Sequence, residues 1–439
     1  MRVKQLKISS FRGIENLILD FPPDEPTVFI GNNGVGKSSI LDSLAILLSW
    51  LIARIEFDPQ SRVSIVDRKN FRFGGIREGE LANGRSFKAT DIKKGENKVL
   101  QILNFLFDSQ EIGWYITASE IDNNTHTTCE LGILEQLTQN LRNQWQTDPK
   151  ANLPLAVYYP INRAVFEISL EIPDNYSPKQ IDAYQKALDG AQITFESFFQ
   201  WFRILEDLEN EERRDRPNYL NHQLEAVRQA IYSLIPEFSN LRVRRSPLRM
   251  TVTKQGQEFT VNQLSDGEKC LLAMVGDLAR RLAIANPGLS NPLEGEGVVL
   301  IDEIELHLHP KWQREIIPAL TRTFPNCQFI VTTHSPQVVS HVKPEGIFIL
   351  EATSEGIIAK KPESSFGRDS NQILEDIMGV PDRPQQIKNS LRQLFQLIDA
   401  GNLEAAKELR HQISEEIGSD EPEFVRADVL MRRKEILNR

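Results

Sequence analysis

Short apolar runs broken by glycine and proline dominate the first third of the chain. Val3 to Ser9 and Ile14 to Phe21 read as two strands, with Phe11-Arg12-Gly13 turning between them. Pro22, Pro23 and Pro26 mark a loop. Thr27 to Ile30 then forms a short buried strand, Gly31 to Ser38 a glycine-rich turn, and Ser39 to Arg54 a helix. Residues 55–95 read as loop. Val99 to Phe107 and Ile112 to Thr117 suggest a β-hairpin, and Ala156 to Tyr159 a strand stopped by Pro160.

From about residue 165 to 240 the pattern turns helical and charged. Phe195, Phe198, Phe199, Trp201, Phe202 and Leu205 crowd one helix, and their spacing points to a buried face rather than a base-stacking platform. Leu248 to Thr253 and Glu258 to Val261 are expected strands around Gly256, followed by a helix from Asp266 to about Ala285. Val298 to Ile301 and Phe329 to Thr332 are the β-rich, fully apolar runs of a parallel sheet, and Ile347 to Leu350 reads as the final strand. Beyond it, Ile387, Leu391, Leu394, Phe395 and Ile398 form one helical stripe. Leu403, Ala406, Leu409, Ile413 and Ile417 form a second after Gly401, which predicts a helical hairpin.

Composition narrows the class. The net charge of −10 gives no global basic field, so any nucleic-acid contact would need a local patch. Cys129, Cys270 and Cys327 are scattered without metal-ligand spacing, as in a reducing compartment. The run Ile40 to Ile55 carries Asp42 and Arg54 and is too short to span a bilayer. A cytoplasmic, soluble protein is expected.

Chemistry enters at Gly31-Asn32-Asn33-Gly34-Val35-Gly36-Lys37-Ser38, which fits the phosphate-binding loop GxxxxGK[ST] and continues with Ser39. Glycines let successive N–H groups turn towards phosphate oxygens, and the following helix aims its positive end at the same anion. Lys37 would place a cation on the β- and γ-phosphates of ATP, and Ser38 would ligate Mg2+. Far downstream, Val298-Val299-Leu300-Ile301 leads to Asp302-Glu303. Asp302 is the second Mg2+ candidate, and Glu303 the group that would polarise the attacking water. Phe329 to Thr333 delivers His334, placed to hydrogen-bond the γ-phosphate. His307 and His309 also suggest a metal pair, but without further ligands packing at an interface is the expected role.

Between these motifs lies Leu264-Ser265-Asp266-Gly267-Glu268-Lys269. Ser265 with Glu268 forms a capping box that opens a helix. The run also looks like the ABC signature LSGGE, with Asp266 in place of its first glycine.

Four motifs in this order, with a long insertion after the phosphate loop, resemble ABC-type ATPases of the SMC/RecF/OLD group. The resemblance covers residues 1–55 and 255–350. It implies an α/β P-loop NTPase of ABC-ATPase type: a mixed sheet with flanking helices, an antiparallel β lobe, a helical insertion and a C-terminal helical region. The opening segment looks like the hairpin of that group, which implies that Arg12 approaches the nucleotide. In the group, two heads sandwich two ATPs, so a homodimer is implied in which Ser265, Asp266, Gly267 and Glu268 complete the partner's site. Where the loop after Glu303 usually carries an aspartate, this chain has His309. The implied domains are an ATPase N-lobe at 1–163, a helical insertion at 164–245, an ATPase C-lobe at 246–352, and a helical region for packing or partner binding at 353–439.

A narrower resemblance rests on Tyr158-Tyr159-Pro160-Ile161-Asn162-Arg163, on Phe366-Gly367-Arg368-Asp369-Ser370-Asn371 and on the helical end from Arg426 to Arg439. These are similar to runs in the PtuA family, the ATPases of Septu antiphage systems. That family works with an HNH nuclease, PtuB, sometimes alongside a retron reverse transcriptase and its nucleic acid. Two other functions compete. A RecF-like repair ATPase would bind DNA itself, through Arg242, Arg244, Arg245 and Arg249 or through Arg432, Arg433 and Lys434. A transporter subunit is disfavoured by the long insertion and the helical tail.

Overall fold

The computed structural model describes residues 1–56, 84–121, 124–163, 179–190, 193 and 195–437. Most of the expected loop at 55–95 and the first part of the expected insertion lie outside these. The described chain divides into two compact units, Met1–Arg368 and Asp369–Arg439.

The first unit is built on a six-stranded sheet. β1 (Arg2–Phe11), β2 (Ile14–Asp20), β4 (Lys98–Phe107), β5 (Gln110–Ile121) and β6 (Asn124–Glu130) belong to a separate antiparallel sheet in the order β2-β1-β4-β5-β6. The main sheet runs β14-β13-β3-β12-β11-β7. Its members are β3 (Thr27–Gly31), β7 (Leu155–Tyr159), β11 (Gly297–Ile301), β12 (Cys327–Thr332), β13 (Ile347–Thr353) and β14 (Gly356–Lys360). All pairs are parallel except β13 with β14. A third sheet, β10-β9-β8, joins β8 (Phe238–Arg245), β9 (Leu248–Lys254) and β10 (Gln257–Thr260).

The two large sheets follow different residue patterns for a physical reason. β7, β11 and β12 are buried at every position, because parallel strands of this sheet are covered on both faces, the edge strand β7 included. β4 alternates buried and partly exposed residues, because one face of the antiparallel sheet stays wet. The 20-residue helix α1 (Lys37–Glu56) follows β3 and touches β1, β4, β7, β11 and β12. It has the length and apolarity of a membrane span, yet most of it is buried within this unit. Trp114 of β5 donates its indole N–H to the Leu47 carbonyl at 3.3 Å. Gln328 of β12 zips the two sheets together, accepting from Val3 N at 2.7 Å and donating to Val3 O at 3.0 Å.

α2 (Gly132–Thr147) follows the antiparallel sheet, and α3 (Phe195–Asp215) and α4 (His222–Leu234) lead into β8. The α3 aromatics Phe195, Phe198, Phe199, Trp201 and Phe202, with Leu205, are all buried, as their spacing predicted. Glu206 and Glu209, one turn apart on α3, both bind Arg228 of α4, and Glu206 also accepts from Val243 N of β8 at 3.0 Å. α5 (Asp266–Ala285) is almost wholly buried. α6 (Pro310–Thr323) and the single turn α7 (Pro336–Val339) complete the unit.

Two expectations change. The sheet does not finish at Leu350, because β14 folds back on β13 as an antiparallel edge; its five residues were too short a run to show a period. The first unit also continues to Arg368, beyond the expected boundary at 352/353: Ser365 donates to the Val342 carbonyl at 2.6 Å and Gly367 N to the Ser340 carbonyl at 2.9 Å.

The second unit opens with the short turn α8 (Ser370–Gln372) and contains α9 (Gln385–Asp399), α10 (Leu403–Ile417) and α11 (Pro422–Leu437). The predicted hairpin, α9 with α10, gains a third helix, and Phe424, Ala427 and Met431 of α11 share its core with Leu394, Ile398 and Ile413.

A buried ionic cluster ties α5 to the main sheet. Asp277 accepts from Arg280 at 2.8 Å, Arg281 at 2.6 Å and the Tyr159 hydroxyl at 3.0 Å. Burial alone would raise the Asp277 pKa, but the two guanidiniums outweigh it and hold it at about 2. The stabilisation is therefore complete above the ordinary carboxylate range and fades only as pH falls towards 2. Asp277→Asn should cost about 3–5 kcal/mol by leaving two buried cations uncompensated. A melting temperature equal to wild type at pH 7 would refute that.

Candidate functional site

The phosphate loop grows from the carboxyl end of β3. Gly31 has φ +147°, and a Cβ there would lie 2.5 Å from the Leu350 carbonyl of β13, so close strand packing requires glycine. Gly34 and Gly36 are also left-handed, at φ +79° and +101°. Asn32, Asn33 and Gly34 are exposed and Val35 anchors the loop in the core. Lys37 is buried, and its ammonium donates to the carbonyls of Gly31 at 2.8 Å and Asn32 at 3.0 Å. Burial lowers its pKa, against the opposing pull of Asp302, Glu303 and Glu305. Ser38 is exposed at the start of α1, and Ser39 follows half-buried.

Asp302 and Glu303 leave the carboxyl end of β11, two strands from β3. Asp302 is buried and accepts from the Thr332 hydroxyl at 2.5 Å. The same hydroxyl accepts from Glu303 N at 2.7 Å. Glu303 has φ +46° and His307 φ +62°, so the acidic turn holds two non-glycine residues in the left-handed region. His334 follows β12, the strand between β3 and β11. Its N–H donates to Glu305 Oε1 at 2.6 Å, and the Thr333 hydroxyl donates to Glu305 Oε2 at 2.7 Å. Glu305 thus fastens the His334 loop to the acidic turn.

These residues fit a nucleotide triphosphate with a divalent cation: an open glycine loop, a buried lysine already bonded to loop carbonyls, an exposed hydroxyl at Ser38 and a carboxylate at Asp302. Arg12 is engaged elsewhere. Its guanidinium pairs with Asp42 of α1 and with Asp91 at 2.9 Å, and lies 4.8 Å from the Phe11 ring centroid. Asp42 also accepts from Arg85 at 2.7 Å. His309 caps α6, accepting from Lys311 N at 3.3 Å, and among the described residues no three potential metal ligands cluster.

The signature run caps α5 as its spacing predicted. Glu268 accepts from Ser265 N at 2.9 Å and from the Ser265 hydroxyl at 2.7 Å, and Lys254 reaches Glu268 at 2.6 Å. Burial works against ionisation of Glu268, but these bonds prevail and hold its pKa below the usual range. Ser265 and Asp266 are exposed, and among the described residues no hydrogen bond joins the run to the phosphate loop. Gly267 packs on the turn after Glu303, where a Cβ would meet the His307 carbonyl at 2.3 Å.

Comparison with known proteins now identifies the family. A family described as "AAA domain, putative AbiEii toxin, Type IV TA system" matches residues 27–340. The chain belongs to this AAA-domain family. It is 30% identical to "Retron Ec83 probable ATPase" of Escherichia coli, over 97% of this chain and 85% of that protein. It is 29% identical to "Retron Vc95 probable ATPase" of Vibrio cholerae, over 93% and 85%. To "Septu protein PtuA" of Bacillus thuringiensis it is 24% identical, over 86% and 84%. Among solved structures, an SMC head bound to the C-winged helix domain of ScpA aligns at TM-score 0.47 and 15% identity, covering 82% of this chain and 98% of that one. This AAA-domain protein is an ATPase and a relative of PtuA, as the quoted runs implied.

Glu305, Asp42 and Arg163 were not among the expected site residues, although Asp42 interrupts the apolar run of α1 and Arg163 ends one of the quoted runs. Glu305 sits inside the Asp302–His309 run, between Glu303 and His307. Gly267→Ala should displace the α5 start or the His307 turn at a cost of about 1–3 kcal/mol, read as a lower melting temperature. Lys37→Ala should abolish ATP binding with little change in melting, as equilibrium titration would test.

Proposed function

We propose that this ATPase serves a bacterial antiphage defence system of the Septu or retron-associated kind, in the cytoplasm. Two copies close on ATP and Mg2+, and the closed state controls a separate HNH nuclease of the PtuB type. Where a retron is present, its reverse transcriptase and nucleic acid are further partners. The names of the relatives support the defence setting. The observation that carries the dimer is the split of the chemistry: Lys37, Asp302, Glu303 and His334 gather around one sheet edge, while the exposed Ser265–Asp266 cap makes no bond to the phosphate loop among the described residues.

In this reading Gly31 to Ser39 cradle the phosphates and Lys37 exchanges its loop carbonyls for phosphate oxygens. Ser38 and Asp302 would hold Mg2+, which would supply charge neutralisation for the phosphates. Glu303 orients and deprotonates the attacking water, and His334 hydrogen-bonds the γ-phosphate. Ser265, Asp266, Gly267 and Glu268 of the second copy close the site with a helix N-terminus.

Direct DNA binding through the β8–β9 arginines has less support. Arg242 and Arg244 both pair with Glu258, and Arg245 with Glu206 and Asp207.

Glu303→Gln should bind ATP as wild type does, lose at least about 100-fold in turnover, and accumulate as a dimer with ATP and Mg2+ in light scattering. Wild-type turnover would reject the Glu303 assignment, and an ATP-independent monomer would reject the dimer. A pulldown with tagged Glu303→Gln from the native host should recover an HNH nuclease, and its absence would reject the nuclease link.

A further inference from the structure

Arg163 ends the run Tyr158-Tyr159-Pro160-Ile161-Asn162-Arg163, whose chemistry the nucleotide site leaves unused. β7 lies beside β11 with Tyr159 opposite Ile301, and Asp302 N donates to the Tyr159 carbonyl at 2.9 Å. The chain therefore leaves β7 at the same edge as the acidic turn. It turns tightly, with Arg163 N donating to the Ile161 carbonyl at 2.8 Å, and exposes Ile161 and Asn162. Arg163 itself folds inward and is 3% exposed.

Its guanidinium grips main chain. One Nη donates to the Asp302 carbonyl and, at 3.4 Å, to the Pro160 carbonyl; the other donates to the Glu303 carbonyl. Among the described residues it forms no ion pair. Burying a guanidinium on neutral acceptors is costly, so the fold forgoes a cheaper apolar side chain here.

What Arg163 holds is a strained turn. Glu303 is left-handed, a conformation an ordinary side chain resists. Its N–H is fixed by Thr332, and its carbonyl accepts from Leu306 N at 2.9 Å as well as from Arg163. With the 302 and 303 carbonyls both held, the peptide between them cannot rotate, and the Cα–Cβ direction of Glu303 is set. Without the fork, the Asp302 and Glu303 carbonyls lose their Arg163 bonds and the left-handed Glu303 is left with its bonds to Thr332 and Leu306, which loosens the aim of the carboxylate.

We infer that Arg163 is a positioning residue for ATP hydrolysis: its planar fork locks the Asp302–Glu303 turn in the geometry that aims the Glu303 carboxylate, without touching nucleotide. The inference rests on the proposed role of Glu303 as the base. It predicts that turnover and nucleotide affinity separate. Turnover at saturating ATP–Mg2+, equilibrium ATP affinity and melting temperature would be measured for wild type, Arg163→Met, Arg163→Lys and Glu303→Gln. Folded Arg163→Met should lose at least about 30-fold in kcat, part of what a general base supplies, with ATP affinity within about threefold. Arg163→Lys should recover part of that loss, because one ammonium can serve a carbonyl but lacks the fork. If Arg163→Met does not fold, Arg163→Lys decides, with at least about a fivefold loss in kcat at unchanged affinity expected. A folded variant with wild-type kcat, or one losing affinity in step with kcat, would overturn the inference. Glu303→Gln separates the two ideas. If it hydrolyses ATP normally, the base assignment fails first; if it is inactive while Arg163→Met is active, only the role of Arg163 fails.

Discussion

Parallel pairing of β3 with β12, β12 with β11 and β11 with β7 forces four loops to leave the sheet at one edge. Each loop carries one kind of group: phosphate-binding backbone with Lys37, the His334 loop, the Asp302–Glu303 acids, and Arg163. The chain segments between them are long and unrelated in pattern, so only the sheet brings these groups together. Ladder hydrogen bonds set the register, and buried side chains on both faces prevent it from slipping. The site is as rigid as the strands that feed it.

That dependence explains what could be read from residues alone. Short apolar runs announced β3, β11 and β12, and the residues that follow them announced the chemistry. The capping box at Ser265 announced the start of α5 to the residue. Other features left no local trace. β14 is an edge strand of five residues. Arg242, Arg244 and Arg245 stood in the sequence as a candidate DNA contact, but folding brings Glu258, Glu206 and Asp207 to them. Arg163 acts through peptide carbonyls, and Glu305 through the His334 N–H and the Thr333 hydroxyl, so neither pairs with a charged group that the sequence would flag. The carbonyls that Arg163 grips are groups that any sequence would supply.

The ABC-like expectation for the fold is met by the mixed sheet, the antiparallel lobe and the flanking helices. Membership in the AAA-domain family and likeness to PtuA and the retron ATPases follow independently from sequence. The Asp277 cluster adds a connection that neither source contained. Tyr159 is the last residue of β7, next to the turn that ends at Arg163, and its hydroxyl reaches into α5. The helix that starts with the signature run and the strand that flanks the acidic turn therefore share one buried carboxylate.

The Gln328 clasp between the two large sheets has a mechanical side. It is neutral and buried, so neither ionic strength nor protonation weakens it. Elsewhere the antiparallel lobe meets α1 through the charges of Arg12, Asp42 and Arg85, which are partly exposed to water. The lobe is thus held both by a joint indifferent to its medium and by one that salt can soften. Salt therefore loosens the contact beside the helix that bears Lys37 and leaves the Gln328 clasp as it is.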